Sequence, residues 1–308
     1  MHDVETMFYV REVPWHGLGI RVEEAPSSDE AIRIAGLDWR VIQEPLFSES
    51  GIKIPNKFAN IRETDNRVLG VVSNSYSIIQ NSQAFDFVDE LIGEKVRYET
   101  AGSLGNGKKV WLLAKLPSET ILDDEVANYL VFSNGHDGKS SVKVSCTPIR
   151  VVCNNTLNLA LSNSRRTWSI THRGNIEEKV QLARQSLNLN DVYMQRMKEY
   201  FEKIALENFN NVEVYADNIF GLNSDDSLEG IAKRNAEMLR NDFLYRYNDA
   251  PDLGNYRGTK AGVIMALTDH RSHRPALRET KYTSERYMKE AIYGDEWLNH
   301  SIKVLEAA

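Results

Sequence analysis

The strongest constraint on the fold is a run of short strand patterns separated by turns rich in glycine and asparagine. Apolar residues alternate with polar ones, or run continuously, over 96–102, 108–116, 128–134 and 140–145. Between these segments, 105–107 (Gly-Asn-Gly) and 134–138 (Asn-Gly-His-Asp-Gly) supply the residues that tight hairpins favour. Because such hairpins join antiparallel neighbours, the sequence predicts a central antiparallel sheet. The nearly continuous apolar run 110–114 is expected at its centre.

Helical patterns precede the first of these strands and dominate the C-terminal part. A helix is predicted over 81–92, because Phe85, Val88 and Ile92 fall on one face. From about residue 176, apolar residues recur every three or four positions in several segments, which is typical of helices packed on a core. The sequence therefore predicts an α+β protein, with helices on one face of the central sheet and a helical C-terminal part.

Three regions follow from these patterns. Residues 1–70 form an N-terminal lobe, in which strands are predicted over 39–47 and 52–61 around a Ser-Gly turn. Residues 71–175 contain the central antiparallel sheet with helices, and 176–308 form the helical C-terminal region. A chain of 308 residues is long enough for one large domain or two ordinary ones, so the status of the lobe as a separate domain stays open.

Composition and charge exclude some classes of protein. The formal net charge of −7 excludes a uniformly basic nucleic-acid binder, although it is compatible with a local basic surface. No segment reaches the roughly 18 consecutive apolar residues of a membrane span. The first residues lack the apolar stretch of a secretory signal, and only two cysteines are present, Cys146 and Cys153. We therefore expect a cytoplasmic protein without a membrane partner.

No motif typical of catalysis, of a cofactor or of a metal site is present. The two cysteines are seven residues apart, which is too far for a zinc knuckle. His270 and His273 are close enough to share a helical face, but their polar neighbours predict a solvated helix end. The glycine-rich segments 102–107 and 254–260 lack the order of strand, loop and helix that a phosphate loop requires. We therefore predict no catalytic residue, cofactor or metal.

One segment reverses the charge of the chain. Residues 139–184 contain eight lysines and arginines against two glutamates, with aromatic, serine, threonine and asparagine residues among them. Cations that follow a phosphate backbone, with rings on which bases stack, are typical of single-strand binding, and a base stacked on Trp168 would contribute about 1–3 kcal/mol. A second basic stretch, 271–289, has a similar character. The predicted nucleic-acid-binding residues are Lys139, Lys143, Arg150, Arg165, Arg166, Trp168, His172 and Arg173. In the alternative interpretation, these arginines are solvated or paired with acids, and Trp168 belongs to the core.

Several motifs along the chain resemble the phage/plasmid-like protein family, a domain of unknown function. The resemblance is carried by 14–19 (Pro-Trp-His-Gly-Leu-Gly), 73–76 with Asn81, 134–138, 147–157, 257–259, 269–270 and Gly294. It implies a mobile-element origin and a location in the cytoplasm of a bacterial host cell. It supplies no catalytic residue.

The predicted order of strands, hairpins and helix also resembles the core of Rad52-like single-strand annealing proteins, at the level of topology. That resemblance implies a basic groove that holds single-stranded DNA on a homo-oligomer, without a nucleotide cofactor. The leading hypothesis is therefore an ATP-independent single-stranded DNA-binding and annealing protein of a phage or plasmid, acting in recombination or replication. Two alternatives remain. One is a protein-binding module directed at a host or phage protein, as an anti-defence factor or replication regulator; the other is a metal-dependent nucleic-acid enzyme.

Overall fold

A computed structural model describes residues 4–11, 18–92, 96–150, 155–156, 167–173, 191–223, 228–273, 290 and 294–308. These residues form eleven strands: β1 (Val4–Val10), β2 (Ile20–Val22), β3 (Val41–Phe47), β4 (Lys53–Arg62), β5 (Arg67–Ser73), β6 (Tyr98–Leu104), β7 (Lys109–Ile121), β8 (Asp124–Gly135), β9 (Val142–Arg150), β10 (Asn155–Thr156) and β11 (Thr167–Ile170).

Eight of these strands form one sheet. Its order is β10-β9-β8-β7-β6-β1-β2, and β11 pairs with β9 along the same edge as β10. All pairs are antiparallel except β1 with β2. The hairpin turns predicted at 105–107 and 134–138 join β6 to β7 and β8 to β9, and the apolar run 110–114 lies in the central strand β7. The predicted central antiparallel sheet is confirmed.

A smaller antiparallel sheet, β3-β4-β5, comes from the N-terminal part of the chain. Its inner side packs closely on the β8–β9 turn. A Cβ atom added to Gly70 would lie 2.4 Å from the Asp137 carbonyl oxygen, and one added to Gly138 would lie 2.8 Å from the Val71 carbonyl oxygen. The two sheets therefore meet at backbone distance, which only glycine permits at these two positions.

The described helices are α1 (Ser28–Ile34), α2 (Asn81–Ile92), α3 (191–204), α4 (Val212–Ile219), α5 (Gly230–Asp249), α6 (Lys260–His273) and α7 (Glu296–Ala307), with a short 3-10 helix (Pro251–Tyr256) before α6. The first of them begins with a capping box, in which the Glu30 carboxylate accepts a hydrogen bond from the backbone N–H of Ser27 at 3.0 Å. None of the helices in these ranges is long and apolar enough to span a membrane.

Two hydrophobic clusters stabilise the described part of the chain. The first lies between α1, α2 and one face of the large sheet, and it contains residues such as Phe8, Leu37, Phe85 and Phe132. This cluster draws on both of the predicted regions 1–70 and 71–175, whose boundary stays a prediction. The second unites α3–α7 with the far end of the β7–β8 hairpin, where Ile121 and Val126 are buried. The predicted α+β class, with helices on one sheet face and a helical C-terminal part, is confirmed.

Candidate nucleic-acid interface

The register of the large sheet assigns each side chain to one of two faces. Leu112 lies opposite both Ala101 and Phe132, and Phe132 lies opposite Val144. These residues belong to the cluster under α1 and α2. Because successive side chains in a strand alternate between faces, their neighbours point away from α1 and α2. We name that second surface the polar face; its members on β7, β8, β9 and β11 include Trp111, Leu113, Lys115, Tyr129, Val131, Ser133, Lys143, Ser145, Thr147, Thr167 and Ser169.

The polar face combines an aromatic ring, hydroxyl groups and a cation in one cross-strand row. Trp111 lies opposite Gly102 on one side and Ser133 on the other, Ser133 lies opposite Lys143, and Lys143 lies opposite Ser169. Trp111 and Lys143 are each half-buried. Ser133 is buried in this row, as are Val131 and Ser145 in the next, so the partly accessible groups of the row are Trp111 and Lys143.

Trp168, the predicted stacking residue, lies on the opposite face from Lys143. It pairs with Val144, and its half-buried ring packs against the cluster under α1 and α2. The structure therefore does not bring Trp168 and Lys143 onto one surface. The ring that does share a row with Lys143 is Trp111, which the sequence analysis placed only in an apolar central strand.

Lys139 is exposed on the turn between β8 and β9. Asp137 folds this turn, because its Oδ1 accepts hydrogen bonds from the backbone N–H groups of Lys139 and Ser140, each at 2.8 Å. Burial alone would raise the pKa of Asp137, but the hydrogen bonds from Ser140 and Lys139 outweigh burial, and its pKa is lowered. Asp137 is therefore ionised at neutral pH and holds Lys139 at the end of the sheet.

His172 and Arg173 follow β11 at the same end of the sheet. The imidazole of His172 is buried and stacks on Tyr76, with the ring centroids 4.5 Å apart. Its Nδ1 lies 3.1 Å from the Ser77 carbonyl oxygen, and its own carbonyl accepts a hydrogen bond from the Ser77 N–H. His172 thus joins β11 to the segment after β5, while the neighbouring Arg173 is exposed.

The remaining predicted residues are only partly described. The backbone of Arg150 pairs with Val126 and Asn155, and its side chain is outside the description. Arg165, Arg166 and residues 274–289 of the second basic stretch lie outside the described residues.

Two further lysines lie at this end of the sheet, at the start of β7. Lys108 is exposed, and its carbonyl accepts a hydrogen bond from the His136 N–H at 2.8 Å. Lys109 lies opposite Gly135, and its charge contributes to lowering the pKa of Asp137. We name the group Lys108, Lys109, Lys139 and Arg173 the cationic edge. In the sequence, the signal for the cationic edge was the Lys-Lys pair beside the Gly-Asn-Gly turn. Only the strand register shows that this pair lies at the same end of the sheet as Lys139 and Arg173.

Two acids near this edge are already paired. Glu5 binds both Arg62 at 2.9 Å and Arg67 at 3.1 Å, and Asp65 binds Arg62 at 2.7 Å. Hydrogen bonds from Arg62 lower the pKa of Asp65 to about 2, and Arg62 also lies over the Trp39 ring, 5.3 Å from its centroid. Glu5 and Asp65 are therefore neutralised locally, whereas ionised Asp137 lies within the cationic edge and offsets part of its charge.

Several motif residues meet in a buried polar cluster between the two sheets. Asn81 donates from Nδ2 to the Leu37 carbonyl at 2.9 Å, so its Oδ1 is an acceptor; it lies 3.0 Å from His136 Nε2. Asn134 donates to the Ile79 carbonyl at 2.9 Å. This pattern assigns the imidazole proton to Nε2 of His136. Burial, together with the nearby charge of His172, lowers the pKa of His136 to about 3, so the ring is neutral.

The same cluster fixes the backbone of the β8–β9 turn. Asn60 donates to the His136 carbonyl at 2.9 Å, and the Tyr76 hydroxyl donates to the Gly135 carbonyl at 2.7 Å. The edge of Trp39 lies against His136, with the ring centroids 5.5 Å apart. These contacts give the motif residues a structural role, which is to hold in place the turn that carries Lys139. The motif residues at 14–17, 151–154 and 157 lie outside the described part of the chain.

Within the described residues, no group of three or more histidine, cysteine, aspartate or glutamate side chains could hold a metal ion. His270, predicted at a solvated helix end, is instead fully buried, so that expectation is wrong. Its Nδ1 lies 2.6 Å from an Asp242 oxygen, and burial lowers its pKa although Asp242 acts in the opposite direction. The cause of the error is that α6 packs between α5 and α7, which neighbouring residues in the sequence do not reveal.

The family model described as "Domain of unknown function (DUF932)" matches residues 68–293, which run from the second residue of β5 to just before α7. The chain belongs to the DUF932 family. No curated protein and no solved structure matches it. The DUF932 match includes the whole β6–β9 meander and therefore the polar face and the cationic edge.

Proposed function

We propose that this DUF932 protein binds single-stranded nucleic acid across the polar face and the cationic edge, and that it anneals strands in phage or plasmid recombination or replication without a nucleotide cofactor. The observation that carries the proposal is the row that contains Trp111, Ser133 and Lys143, next to exposed Lys139 and Arg173. Single-stranded nucleic acid fits such a surface, because cations bind its phosphate groups and its unpaired bases stack on an aromatic ring.

On this proposal, two kinds of side chain have different roles: cations bind phosphate groups, and Trp111 stacks on bases. Lys108, Lys139 and Arg173 are exposed and suited to phosphate groups, whose binding releases counterions. Trp111 is suited to stacking, because its ring reaches over Gly102: a Cβ added to Gly102 would lie 2.4 Å from the ring atom Cη2. On this proposal, phosphate binding supplies salt-dependent affinity and Trp111 supplies preference for single strands over duplex.

The test is fluorescence-anisotropy titration of a labelled single strand, with a duplex of the same sequence for comparison, at two salt concentrations. The double variant Lys139→Glu, Arg173→Glu should weaken binding at low salt and flatten the salt dependence. Loss of two phosphate contacts changes the slope of log affinity against log salt by about 1.4. The matched control is Lys233→Glu, Lys303→Glu, which makes the same charge change at exposed positions on α5 and α7.

Trp111→Ala tests the stacking part separately. We expect a loss of about 1–3 kcal/mol of single-strand affinity with an unchanged salt slope. If the Lys139 and Arg173 variant binds as the control does, the cationic edge is not the phosphate site. If the parent protein binds no single strand at low salt, the proposal as a whole is wrong.

A specific observation also favours the alternative of a protein-binding module. Phe47, Ile52 and Ile54 are exposed at the tip of the β3–β4 hairpin. Exposed apolar side chains gathered on one hairpin tip are typical of a surface that contacts another protein. Phe47→Ser with Ile52→Ser should leave nucleic-acid affinity unchanged on the leading proposal. It should abolish capture of a host or phage partner on the alternative.

A further inference from the structure

The turn between β6 and β7 presents an asparagine that is followed by glycine. The sequence contains two such pairs, Asn106-Gly107 and Asn134-Gly135. Asn106 is exposed, whereas Asn134 is buried. The side-chain amide of an asparagine is open to attack by the backbone nitrogen of the next residue, and glycine hinders this attack least because it has no Cβ. The two pairs share this chemistry, so their surroundings decide whether they react.

The central peptide group of the β6–β7 turn makes no backbone hydrogen bond within the described residues. The turn is closed by the N–H of Lys108, which donates to the Gly105 carbonyl at 3.4 Å. Asn106 and Gly107 have φ angles of 59° and 85°, and two positive φ angles in a closed turn are typical of type I′. Rotation of the peptide between them therefore breaks no backbone hydrogen bond.

That rotation brings the reacting atoms together. It converts the type I′ turn into type II′, in which the first central residue has φ of about 60° and ψ of about −120°. At this ψ the nitrogen of Gly107 eclipses Cβ of Asn106, so a five-membered ring with the side-chain carbonyl carbon can close. Gly107 accepts the negative φ that type II′ requires at the second central position. Both turn types suit a hairpin, so the flanking strands keep their pairing.

We propose that Asn106 is a site of spontaneous deamidation. The Gly107 nitrogen loses its proton and bonds to Cγ of Asn106. The bond between Cγ and Nδ2 breaks, and Nδ2 leaves as ammonia with that proton, so a cyclic imide remains. Water then adds to one of the two imide carbonyl groups and breaks its bond to nitrogen, which gives aspartate or isoaspartate. The reaction consumes one water, and it replaces a neutral amide by a carboxylate and an ammonium ion.

The second pair is protected from the same reaction. Nδ2 of Asn134 donates to the Ile79 carbonyl at 2.9 Å, and Gly135 lies in β8 opposite Lys109. The Gly135 carbonyl also accepts a hydrogen bond from the Tyr76 hydroxyl at 2.7 Å. Ring closure at Asn134 therefore requires local opening of the sheet, which costs free energy that the exposed turn does not have to supply.

A carboxylate at position 106 changes the charge of the cationic edge, which includes Lys108 and Lys109. Cα atoms two residues apart are separated by at most about 7.6 Å. This separation is within the Debye length of about 8 Å at physiological salt, so the new charge offsets part of the charge of Lys108. This consequence rests on the proposed function: single-strand affinity decreases as Asn106 is converted.

Peptide mapping by mass spectrometry tests the site itself. Purified protein is kept at pH 6 and at pH 9, and aspartate and isoaspartate are measured at positions 106 and 134. We expect conversion at Asn106, and more of it at pH 9 because hydroxide removes the proton of the attacking nitrogen. Conversion at Asn134 should be at least about tenfold slower, because it requires opening of the sheet. An intact Asn106 at pH 9, or equal conversion at both positions, would overturn the proposal.

Asn106→Gln is the matched variant. Its longer side chain would have to close a six-membered ring, so it should show no conversion at position 106, and circular dichroism checks that it folds. Parent protein converted at pH 9 should bind single strands about two- to fivefold more weakly than fresh protein at low salt, the size of one exposed ion pair. Asn106→Gln kept in the same way should bind as before.

The two readouts separate this inference from the proposed function. If fully converted protein binds single strands as fresh protein does, the effect of position 106 on the cationic edge is refuted. If fresh protein binds no single strand, the proposed function is wrong, whereas conversion mapped at Asn106 and absent at Asn134 still supports the deamidation site.

Discussion

Replacement of His136 by glutamine should remove a large part of the acid sensitivity of the fold. The ring is fully buried, neutral and bonded through Nε2 to Asn81. Burial lowers its pKa from 6.5 to about 3. As the pH falls below 6.5, the unfolded chain takes up a proton at this position before the folded chain does. The contribution of His136 to folding stability is therefore fully present above pH 6.5. It decreases as the pH falls from about 6.5 to about 3.

The size of the effect follows from the pKa difference. Each pH unit between the two pKa values corresponds to about 1.4 kcal/mol. Between pH 8 and pH 4.5, only the unfolded chain takes up a proton at this position, and pH 4.5 lies two units below the unfolded pKa of 6.5. His136 therefore accounts for about 3 kcal/mol of the stability that is lost between these pH values. Glutamine places an amide nitrogen close to the position of Nε2, so His136→Gln keeps a donor for Asn81 while it removes the titration. The variant loses ring packing on Trp39, which should cost about 1–3 kcal/mol at pH 8.

Urea unfolding at pH 8 and pH 4.5 measures the difference. We expect the parent protein to lose about 3 kcal/mol more than His136→Gln between the two pH values. His300→Gln, at an exposed position on α7, is the control and should lose as much as the parent. Carboxylates and the other histidines contribute equally to all three proteins. If His136→Gln loses as much stability as the parent on acidification, the ring is not held neutral in the folded state and the assigned proton position is wrong.

Two further substitutions test the same architecture. Asn81→Ala leaves the Nε2–H group of His136 and a backbone carbonyl without partners, so it should cost about 2–5 kcal/mol by urea unfolding at neutral pH; a loss below about 1 kcal/mol would contradict the network. Gly102→Ala introduces a Cβ 2.4 Å from both the Trp111 ring and the Thr6 carbonyl oxygen. It should cost about 1–3 kcal/mol, shift tryptophan fluorescence and weaken single-strand binding, and unchanged fluorescence would count against the placement of that ring.

The sequence predicted the hairpins well because their turn residues have narrow backbone requirements. Asn106, Gly107 and Gly138 adopt φ angles of 59°, 85° and 72°, which few other residue types tolerate. Strand β7 is longer than the predicted range 108–116 and ends at Ile121, beyond Pro117. A bulge between Leu116 and Glu119 accommodates the proline, and pairing with β8 continues beyond it.

The two tryptophans show why the site was harder to predict than the fold. Trp111 lies in an almost entirely apolar segment, in which alternation assigns no side chain to a face. Trp168 lies in a basic segment, so its neighbours suggested a surface role, yet its register with Val144 turns it toward the core. A shift of one residue in pairing moves every side chain of a strand to the opposite face. Register depends on bulges and on distant partners, and a single sequence specifies neither.

The resemblance motifs and the proposed interface occupy different layers of the same end of the sheet. Asn81, Asn134 and His136 are buried, and the hydrogen bonds that their side chains make lie inside the chain, to one another and to the carbonyls of Leu37 and Ile79. Side chains bound in this way are poorly placed to contact a polymer in solvent. The turn nevertheless presents Lys139 beside Arg173, and its position depends on the buried cluster beneath it. The motifs are therefore best understood as the support that orients the cationic edge, while the contacts with nucleic acid that we propose are made by residues with no motif of their own.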